Sequence, residues 1–162
     1  MSLRFTESIF FCILLVVFWQ DITGRRIQDR CHTSILVLAV LEMLMDVSLG
    51  NPGTELCRSD MAGRLLGMLC GGLPFFFICL IAPGAFGGGD IKLMAVSGFF
   101  LGWRRILVSA VCGFMFGGIC IGILLAGGKA DRETRIPFAP FLCAGMTVSV
   151  LWGSEMIKWY VL

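Results

Sequence analysis

The chain has 162 residues, of which 57% are hydrophobic and 15% are charged, whereas a soluble domain carries about 25% charged residues. Its apolar residues form long runs, and one membrane crossing takes roughly 17–25 of them. The length therefore leaves room for about six spans with short connections and excludes a separate soluble domain. The formal net charge of +2 comes from scattered basic residues, so we expect no nucleic-acid partner.

The apolar runs predict six spans, in chain order 5–20, 31–49, 61–82, 91–102, 106–126 and 137–159. The first run could be read as a signal peptide, but no small-x-small cleavage site follows it, so we expect a retained span. The predicted fold is an all-α membrane protein, a polytopic bundle of about six transmembrane helices that forms one domain, 1–162.

The second span contains two acidic residues, Glu42 and Asp46, one helical turn apart. They share a predicted helix face beyond the middle of the span. Ionisable groups inside a span are costly and suggest function by default. We nevertheless expect these two to snorkel to the interface or to pair with Arg58 or Arg64, because they lie toward the membrane face opposite to Asp21.

Glycines recur at four-residue spacing on the third and fifth spans. Small residues at this spacing let helix backbones approach closely in a membrane, where apolar burial no longer drives association. The pattern predicts a tightly packed bundle and a scaffold role for these glycines. The residues concerned are Gly63, Gly67 and Gly71, then Gly113 and Gly117, then Gly118 and Gly122.

A loop that a helix would not tolerate, Pro83-Gly-Ala-Phe-Gly-Gly-Gly-Asp90, precedes the fourth span. Gly87, Gly88 and Gly89 have no β-carbon, so their backbone can adopt φ > 0 and a substrate strand can approach the carboxylate. A plain turn with Asp90 as a helix cap explains the pattern equally well. Glycines followed by Asp are therefore a weak signal by themselves.

Asp90 has a candidate partner in Asp21, which closes the first span and begins a polar loop over 21–30. Two complete spans separate the two residues, so both must lie at the same membrane face. Two neighbouring carboxyls share one proton over a useful pH range, because the charge on one raises the pKa of the other. Such a pair can activate water without a metal or a covalent intermediate. The single histidine, His32, is expected in the loop beside Asp21, where it could tune the pH response of the pair.

Three segments resemble motifs of the type IV prepilin peptidases, a family of membrane aspartic peptidases of the GxGD class. Gly87-Gly-Gly-Asp-Ile-Lys-Leu93 resembles the GxGD-[VI]-K-L signature. Asp21-Ile-Thr-Gly-Arg-Arg-Ile27 is similar to the element that carries the family's first catalytic Asp. Ile136-Pro-Phe-Ala-Pro-Phe-Leu142 resembles the IPFGPFL stretch that opens the last span. Gln28-Asp29 and Ala139 depart from the family's usual Pro-Asn and Gly.

The resemblance implies that Asp21 and Asp90 form the catalytic dyad, supported by the motif residues Gly87–Gly89 and Lys92. It implies an endopeptidase that removes the basic leader peptide from type IV pilin-like or pseudopilin precursors, without metal or cofactor. In this family the dyad lies at the cytoplasmic face of the bacterial inner membrane. Lys and Arg are almost equally distributed between the two predicted faces of this chain, but the two densest clusters lie on the same face as the dyad, which favours the cytoplasmic orientation. Larger members carry paired CxxC motifs, associated with N-methylation, and none of the eight cysteines here forms such a pair. The resemblance therefore implies a peptidase-only form, similar to the small enzymes of Tad/Flp-type pili.

Two alternatives stay open at this point. Other GxGD-type intramembrane proteases carry their second Asp in a Tyr-Asp pair within a span, and the only tyrosine here is Tyr160. A non-enzymatic membrane protein, such as a transporter subunit or an assembly scaffold, belongs to a different class. It predicts that Asp21 and Asp90 can each be replaced by Asn with function intact.

Overall fold

The computed structural model describes residues 2–24, 29–48, 61–82, 86–127 and 138–161. This part of the chain consists of six α-helices and contains no strand, which confirms the all-helical prediction. The predicted connections over 25–28, 49–60, 83–85 and 128–137 lie outside the described residues. The helices are α1 (Ser2–Gly24), α2 (Asp29–Ser48), α3 (Met61–Ile81), α4 (Gly88–Leu101), α5 (Trp103–Ala126) and α6 (Ala139–Val161).

Several helix ends differ from the prediction, and three of them concern Asp21, His32 and Asp90. α1 continues to Gly24, so Asp21 lies in its last turn and not at the start of a loop. α2 begins at Asp29, which moves His32 from the predicted loop into the first turn of a helix. α4 begins at Gly88, so Asp90 is its third residue and not the end of a loop. Polar residues and glycines mark where an apolar run stops, but a backbone helix can extend beyond that run.

α4 is the central helix of the bundle. It packs against α2, α3, α5 and α6, while α1 packs against α2 and α6. Most of α4 is buried, including Leu93, Met94 and Phe100. The Phe100 ring stacks on Phe10 of α1 with ring centroids 4.4 Å apart. A helix surrounded in this way needs no continuous polar face, which explains why apolar residues are distributed around most of α4.

Glycine allows α3 to lie directly against α4. A β-carbon on Gly67 would collide with the backbone of Gly98 and Gly102, and one on Gly71 would collide with the Met94 carbonyl. These contacts confirm the predicted close helix approach for Gly67 and Gly71.

The glycines of α5 fall into two groups. A β-carbon on Gly113 would lie 3.1 Å from Leu142 of α6, and one on Gly117 would lie 2.6 Å from the Phe138 ring. The prediction of close packing is therefore confirmed for these two. It is wrong for Gly118 and Gly122, where a β-carbon would meet no atom within 4 Å. Gly118 and Gly122 point away from the bundle. They lie one and five positions after Gly117, which places them on another face of the helix.

The outward surface of the bundle is apolar. Large hydrophobic side chains are exposed on α1, α2, α3, α5 and α6, with Trp19, Ile81 and Ile123 among the most exposed. Within the described residues, α3 and α5 are long and apolar enough to cross a membrane. The apolar stretches of α2 and α6 are shorter, 31–45 and 139–153. Two of the six predicted spans thus meet the length and composition of a membrane crossing.

Glu42 of α2 forms a buried ion pair. Its Oε2 lies 3.9 Å from Nη1 of Arg64, its Oε1 accepts a 3.1 Å hydrogen bond from the Thr6 hydroxyl, and both charged side chains are almost fully buried. The prediction that Glu42 pairs with an arginine is confirmed for Arg64. The side chain of Asp46 and the alternative partner Arg58 lie outside the described part of the structure.

Candidate active site

Asp21 and Asp90 lie together at one end of the bundle, as the number of helices between them requires. Asp21 belongs to the last turn of α1 and Asp90 to the first turn of α4. Only 6% of the Asp21 surface and 8% of the Asp90 surface are exposed. The charge on Asp21 helps to raise the pKa of Asp90, so the carboxyls are in electrostatic contact. The structure therefore brings the two predicted carboxyls into one buried site.

The start of α6 holds Asp21. The backbone N–H of Ala139, the first residue of α6, donates a hydrogen bond to the Asp21 carboxylate. The first N–H groups of a helix have no partner within the helix, and the helix dipole favours a negative charge there. The other oxygen, Oδ2, is buried and has no hydrogen-bond partner among the described residues. One oxygen is thus fixed, and the second is available to a proton or a water molecule.

Asp90 is held by its own helix start. The backbone N–H of Gly87, which precedes α4, donates a 3.3 Å hydrogen bond to Oδ2 of Asp90. This contact is half of a capping box, in which the third helical residue accepts from the residue before the helix. The prediction of Asp90 as the capping residue itself is wrong, because Gly87 takes that position and Asp90 is the third residue of the helix. Asp90 still stabilises the helix start, and its other oxygen remains for chemistry.

The backbone conformation of the motif glycines differs from the one that their sequence predicts. Gly87 has φ −72° and ψ 145°, an extended conformation open to any residue, and Gly88 and Gly89 are helical. Within the described residues the glycine with positive φ is Gly102, at 79°, between α4 and α5. The prediction of φ > 0 in this segment is wrong. A β-carbon on Gly88 would meet no atom within 4 Å, so the surface beside Asp90 is open and smooth.

Burial raises the pKa of both carboxyls, which lie outside α3, α5 and the predicted spans 5–20 and 91–102. Loss of hydration is the largest cause for Asp90 and, with the charge of Asp21, raises its pKa from 3.8 to about 6, although the Gly87 N–H and the charge of His32 act in the opposite direction. The pKa of Asp21 is also raised, because burial outweighs the hydrogen bond from Ala139. The pair therefore retains a proton at a pH where an isolated carboxyl has lost it.

His32 belongs to the site, although the sequence predicted it in a loop. It is 6% exposed, and its Nε2 lies 2.9 Å from the carbonyl oxygen of Gly89, the residue before Asp90. Its place at the site could have been predicted from the topology, because α2 begins at the end of the bundle where α1 finishes. The same reasoning applies to Ala139, whose helix also begins at that end.

An aromatic cluster joins the two segments that hold the carboxyls. Phe86 precedes the Gly87–Gly89 segment, Phe138 precedes Ala139, and their ring centroids are 5.0 Å apart. Phe75 of α3 and Phe114 of α5 complete the cluster, with centroids 5.1 Å apart. Aromatic pairs at these distances contribute about 0.5–1.5 kcal/mol each beyond their buried area. The cluster therefore couples the position of Asp90 to that of the N–H group that holds Asp21.

Two further residues differ in their relation to the carboxyls. Lys92, the remaining predicted motif residue, is exposed on α4. Cys143 of α6 is 3% exposed and lies within electrostatic range of both carboxyls. In the ranges that the structure describes, no three His, Cys, Asp or Glu side chains are grouped as a metal ion would require.

The fold and site together define a class of protein, a helical bundle suited to a membrane with a buried carboxyl pair at one end. The type IV leader peptidase family matches residues 8–126, a range that includes Asp21 and Asp90. The chain belongs to this family, which confirms the resemblance found in its motifs.

Two relatives extend the match over most of the chain. The prepilin leader peptidase/N-methyltransferase of Bacillus subtilis is 31% identical over 157 residues, which make up 97% of this chain and 59% of the relative. The protein of the same name from Legionella pneumophila is 37% identical over 154 residues, or 92% of this chain and 50% of the relative. This chain thus spans only half to three fifths of the length of these relatives. No solved structure matches it.

Proposed function

We propose that the chain is an aspartic endopeptidase that removes the leader peptide from type IV pilin-like or pseudopilin precursors. The observation that carries the proposal is the pair of buried carboxyls, Asp21 and Asp90, where α1, α4 and α6 meet. Membership of the type IV leader peptidase family and the names of the relatives support the choice of substrate.

The proposed setting is the bacterial cytoplasmic membrane, with residues 1–162 as one peptidase domain of six membrane helices. The apolar outward surface of five helices supports contact with lipid, because such a surface would be unstable in water. The dyad faces the cytoplasm in this arrangement. That orientation would give Asp21 and Asp90 access to water and to the charged leader of a precursor.

The proposed reaction uses one proton shared by the dyad. Asp90, whose pKa is raised to about 6, is the protonated partner, and Asp21 is the ionised one. The unpartnered Oδ2 of Asp21 accepts a proton from water as the water oxygen attacks the peptide carbonyl carbon, and Asp90 donates its proton to the carbonyl oxygen. As the tetrahedral intermediate collapses, the C–N bond breaks and the amine takes the proton held by Asp21. Asp90 recovers its proton from the hydroxyl, so the dyad is regenerated.

The open surface at Gly88 provides the path for the substrate backbone in this proposal. An extended peptide can lie against this segment at Gly88, where a β-carbon would meet no atom within 4 Å. Lys92, exposed on the same helix, belongs to the motif support that we assign around the dyad. A side chain at Gly88 would narrow the approach to Asp90.

The test is co-expression of the full chain with a type IV prepilin, with the precursor followed by its mobility on a gel. We expect Asp21→Asn and Asp90→Asn each to reduce cleavage by about 100-fold or more, the scale of a lost general acid or base. Glu7→Gln is the matched control, because it makes the same carboxyl-to-amide change on α1 far from the dyad, and it should leave cleavage unchanged.

Cleavage that persists in both Asn variants would contradict the dyad. No cleavage by the wild-type protein, together with full cellular function of both variants, would favour the non-enzymatic alternative of a transporter subunit or assembly scaffold.

A further inference from the structure

His32 is buried beside the carboxyl pair, and the reaction described above does not use it. A carbonyl oxygen can only accept a hydrogen bond, so the 2.9 Å contact with Gly89 requires that Nε2 of His32 carries a hydrogen and donates it. The second ring nitrogen, Nδ1, is buried without a hydrogen-bond partner among the described residues. The contact with Gly89 thus fixes a hydrogen on Nε2 of the ring.

The segment that this hydrogen bond holds has no side chains to fix it. Gly87, Gly88 and Gly89 precede Asp90, and glycine loses more conformational freedom on ordering than any other residue. The bond from the Gly87 N–H to Asp90 is long, at 3.3 Å. The N–H of the Gly89–Asp90 peptide group donates a 3.0 Å hydrogen bond to the Gly87 carbonyl of the same segment. The bond from His32 to the Gly89 carbonyl fixes the other side of that peptide group from another helix.

We propose that His32 is a positioning residue. It holds the Gly89 carbonyl and thereby sets the orientation of the Asp90 side chain. The inference rests on the proposed peptidase function. The bond joins the first turn of α2 to the first turn of α4, two helices that pack against each other. Misplacement of a reacting group by about 1 Å can reduce a rate by about 100-fold, so loss of the bond acts on the reaction although His32 does not touch the substrate.

Two amide variants separate the hydrogen bond from the size of the side chain. His32→Gln places an N–H donor close to the position of Nε2, whereas His32→Asn places one closer to Nδ1. With a purified prepilin as substrate, we expect His32→Asn to lower kcat by about 10–100-fold with a KM change of less than about threefold. His32→Gln should restore kcat to within about threefold of the wild type. An unchanged kcat in His32→Asn, or equal losses in both variants, would overturn the proposal.

A second measurement does not depend on whether a variant folds. Because the chain has one histidine, ¹⁵N-histidine labelling of the wild-type protein in detergent gives a single imidazole. We expect the nitrogen shift and the one-bond N–H coupling of a ring that carries hydrogen on Nε2. A ring whose only hydrogen is on Nδ1 would overturn the proposal. Asp90→Asn is included in the cleavage assay. If the wild type fails to cleave, or Asp90→Asn cleaves normally, the peptidase proposal fails, whereas the ring form and the contrast between the amide variants concern His32 alone.

Discussion

Buried carboxyls occur at both ends of the bundle, but their neighbours differ. Glu42 lies 3.9 Å from the Arg64 guanidinium and accepts a hydrogen bond from the Thr6 hydroxyl. At the other end, Asp21 and Asp90 lie beside each other, and each accepts a backbone N–H. A cation allows a buried carboxylate to stay ionised, whereas a second carboxyl favours retention of a proton. The same chemical group is therefore structural in one region and suited to proton transfer in the other.

This difference predicts opposite responses to mutation. Removal of the cation leaves Glu42 as an uncompensated buried charge and destabilises the fold. Removal of one carboxyl of the dyad relieves burial of charge and repulsion, so the fold gains stability while the chemistry is lost.

The largest expected effect is at the ion pair. Arg64→Met should lower the free energy of unfolding by about 3–5 kcal/mol, the usual cost of breaking a buried pair from one side. The measurement is unfolding of the purified protein in detergent, followed by the circular dichroism of its helices. The double variant Glu42→Gln/Arg64→Met should recover part of the loss, since it leaves no unpaired charge.

Arg104→Met is the matched control for Arg64→Met. Arg104 is only partly buried, with its guanidinium carbon 5.1 Å from the Trp103 ring centroid, and a cation–π contact of this kind contributes about 0.5–1 kcal/mol. Equal destabilisation by the two variants would show that the buried ion pair stabilises the fold no more than the partly buried Arg104 does. The contrast between Glu42 and the carboxyl pair would then be wrong.

The next effect concerns the pH dependence of stability at the dyad. In the unfolded chain Asp90 ionises near pH 3.8, and in the folded protein near pH 6. Below 3.8 both states are protonated; between 3.8 and 6 the unfolded state ionises first, so wild-type stability falls as pH rises. The total loss is about 3 kcal/mol and is complete above pH 6, because one pKa unit corresponds to about 1.4 kcal/mol.

Asp90→Asn does not titrate at this position and should escape the loss. We expect its melting temperature to exceed that of the wild type increasingly as the pH is raised from 4 to 6, and by a constant amount above that. Parallel curves for the two proteins would show that burial does not raise the pKa of Asp90. Such a result would leave the dyad without the shared proton that distinguishes it from Glu42.

The smallest effect is expected at the second ion pair, between Glu7 of α1 and Arg105 of α5. Its charged atoms are 3.4 Å apart, with 10% of the Arg105 side chain and 27% of the Glu7 side chain exposed. Water reaches the Glu7 carboxylate, so this pair lies between a fully buried pair and an exposed one, which contributes about 0–1 kcal/mol, and Gln keeps an oxygen that can accept from Arg105. Glu7→Gln should therefore change the melting temperature little. A loss as large as that in Arg64→Met would show that burial is not what separates the pairs.

Much of the architecture could be predicted from the pattern of apolar runs. Six helices and the shared end for Asp21 and Asp90 follow from hydrophobic lengths and from counting spans, because each complete crossing returns the chain to a known face. The helix ends were predicted less accurately, since α1 continues to Gly24 and α4 begins at Gly88, both beyond the apolar runs from which they were predicted.

Packing partners could not be predicted in the same way. Gly117 and Gly118 are neighbours with the same four-residue spacing, yet a β-carbon on Gly117 would strike Phe138 while one on Gly118 would find open space. The pattern alone left both Arg58 and Arg64 as partners for Glu42, and the approach of α3 selects Arg64.

The sequence was sufficient for the family and for the prediction of Asp21 and Asp90 as candidate partners, because both depend on residue types at short spacing within continuous segments. The roles of His32 and Ala139 depend on contacts between segments far apart in the chain. Gly89 is 57 residues from His32, and Ala139 reaches Asp21 only because α6 begins at the end where α1 stops. Local patterns are set by backbone geometry, whereas these contacts depend on how whole helices pack, and that is settled only when the bundle is formed.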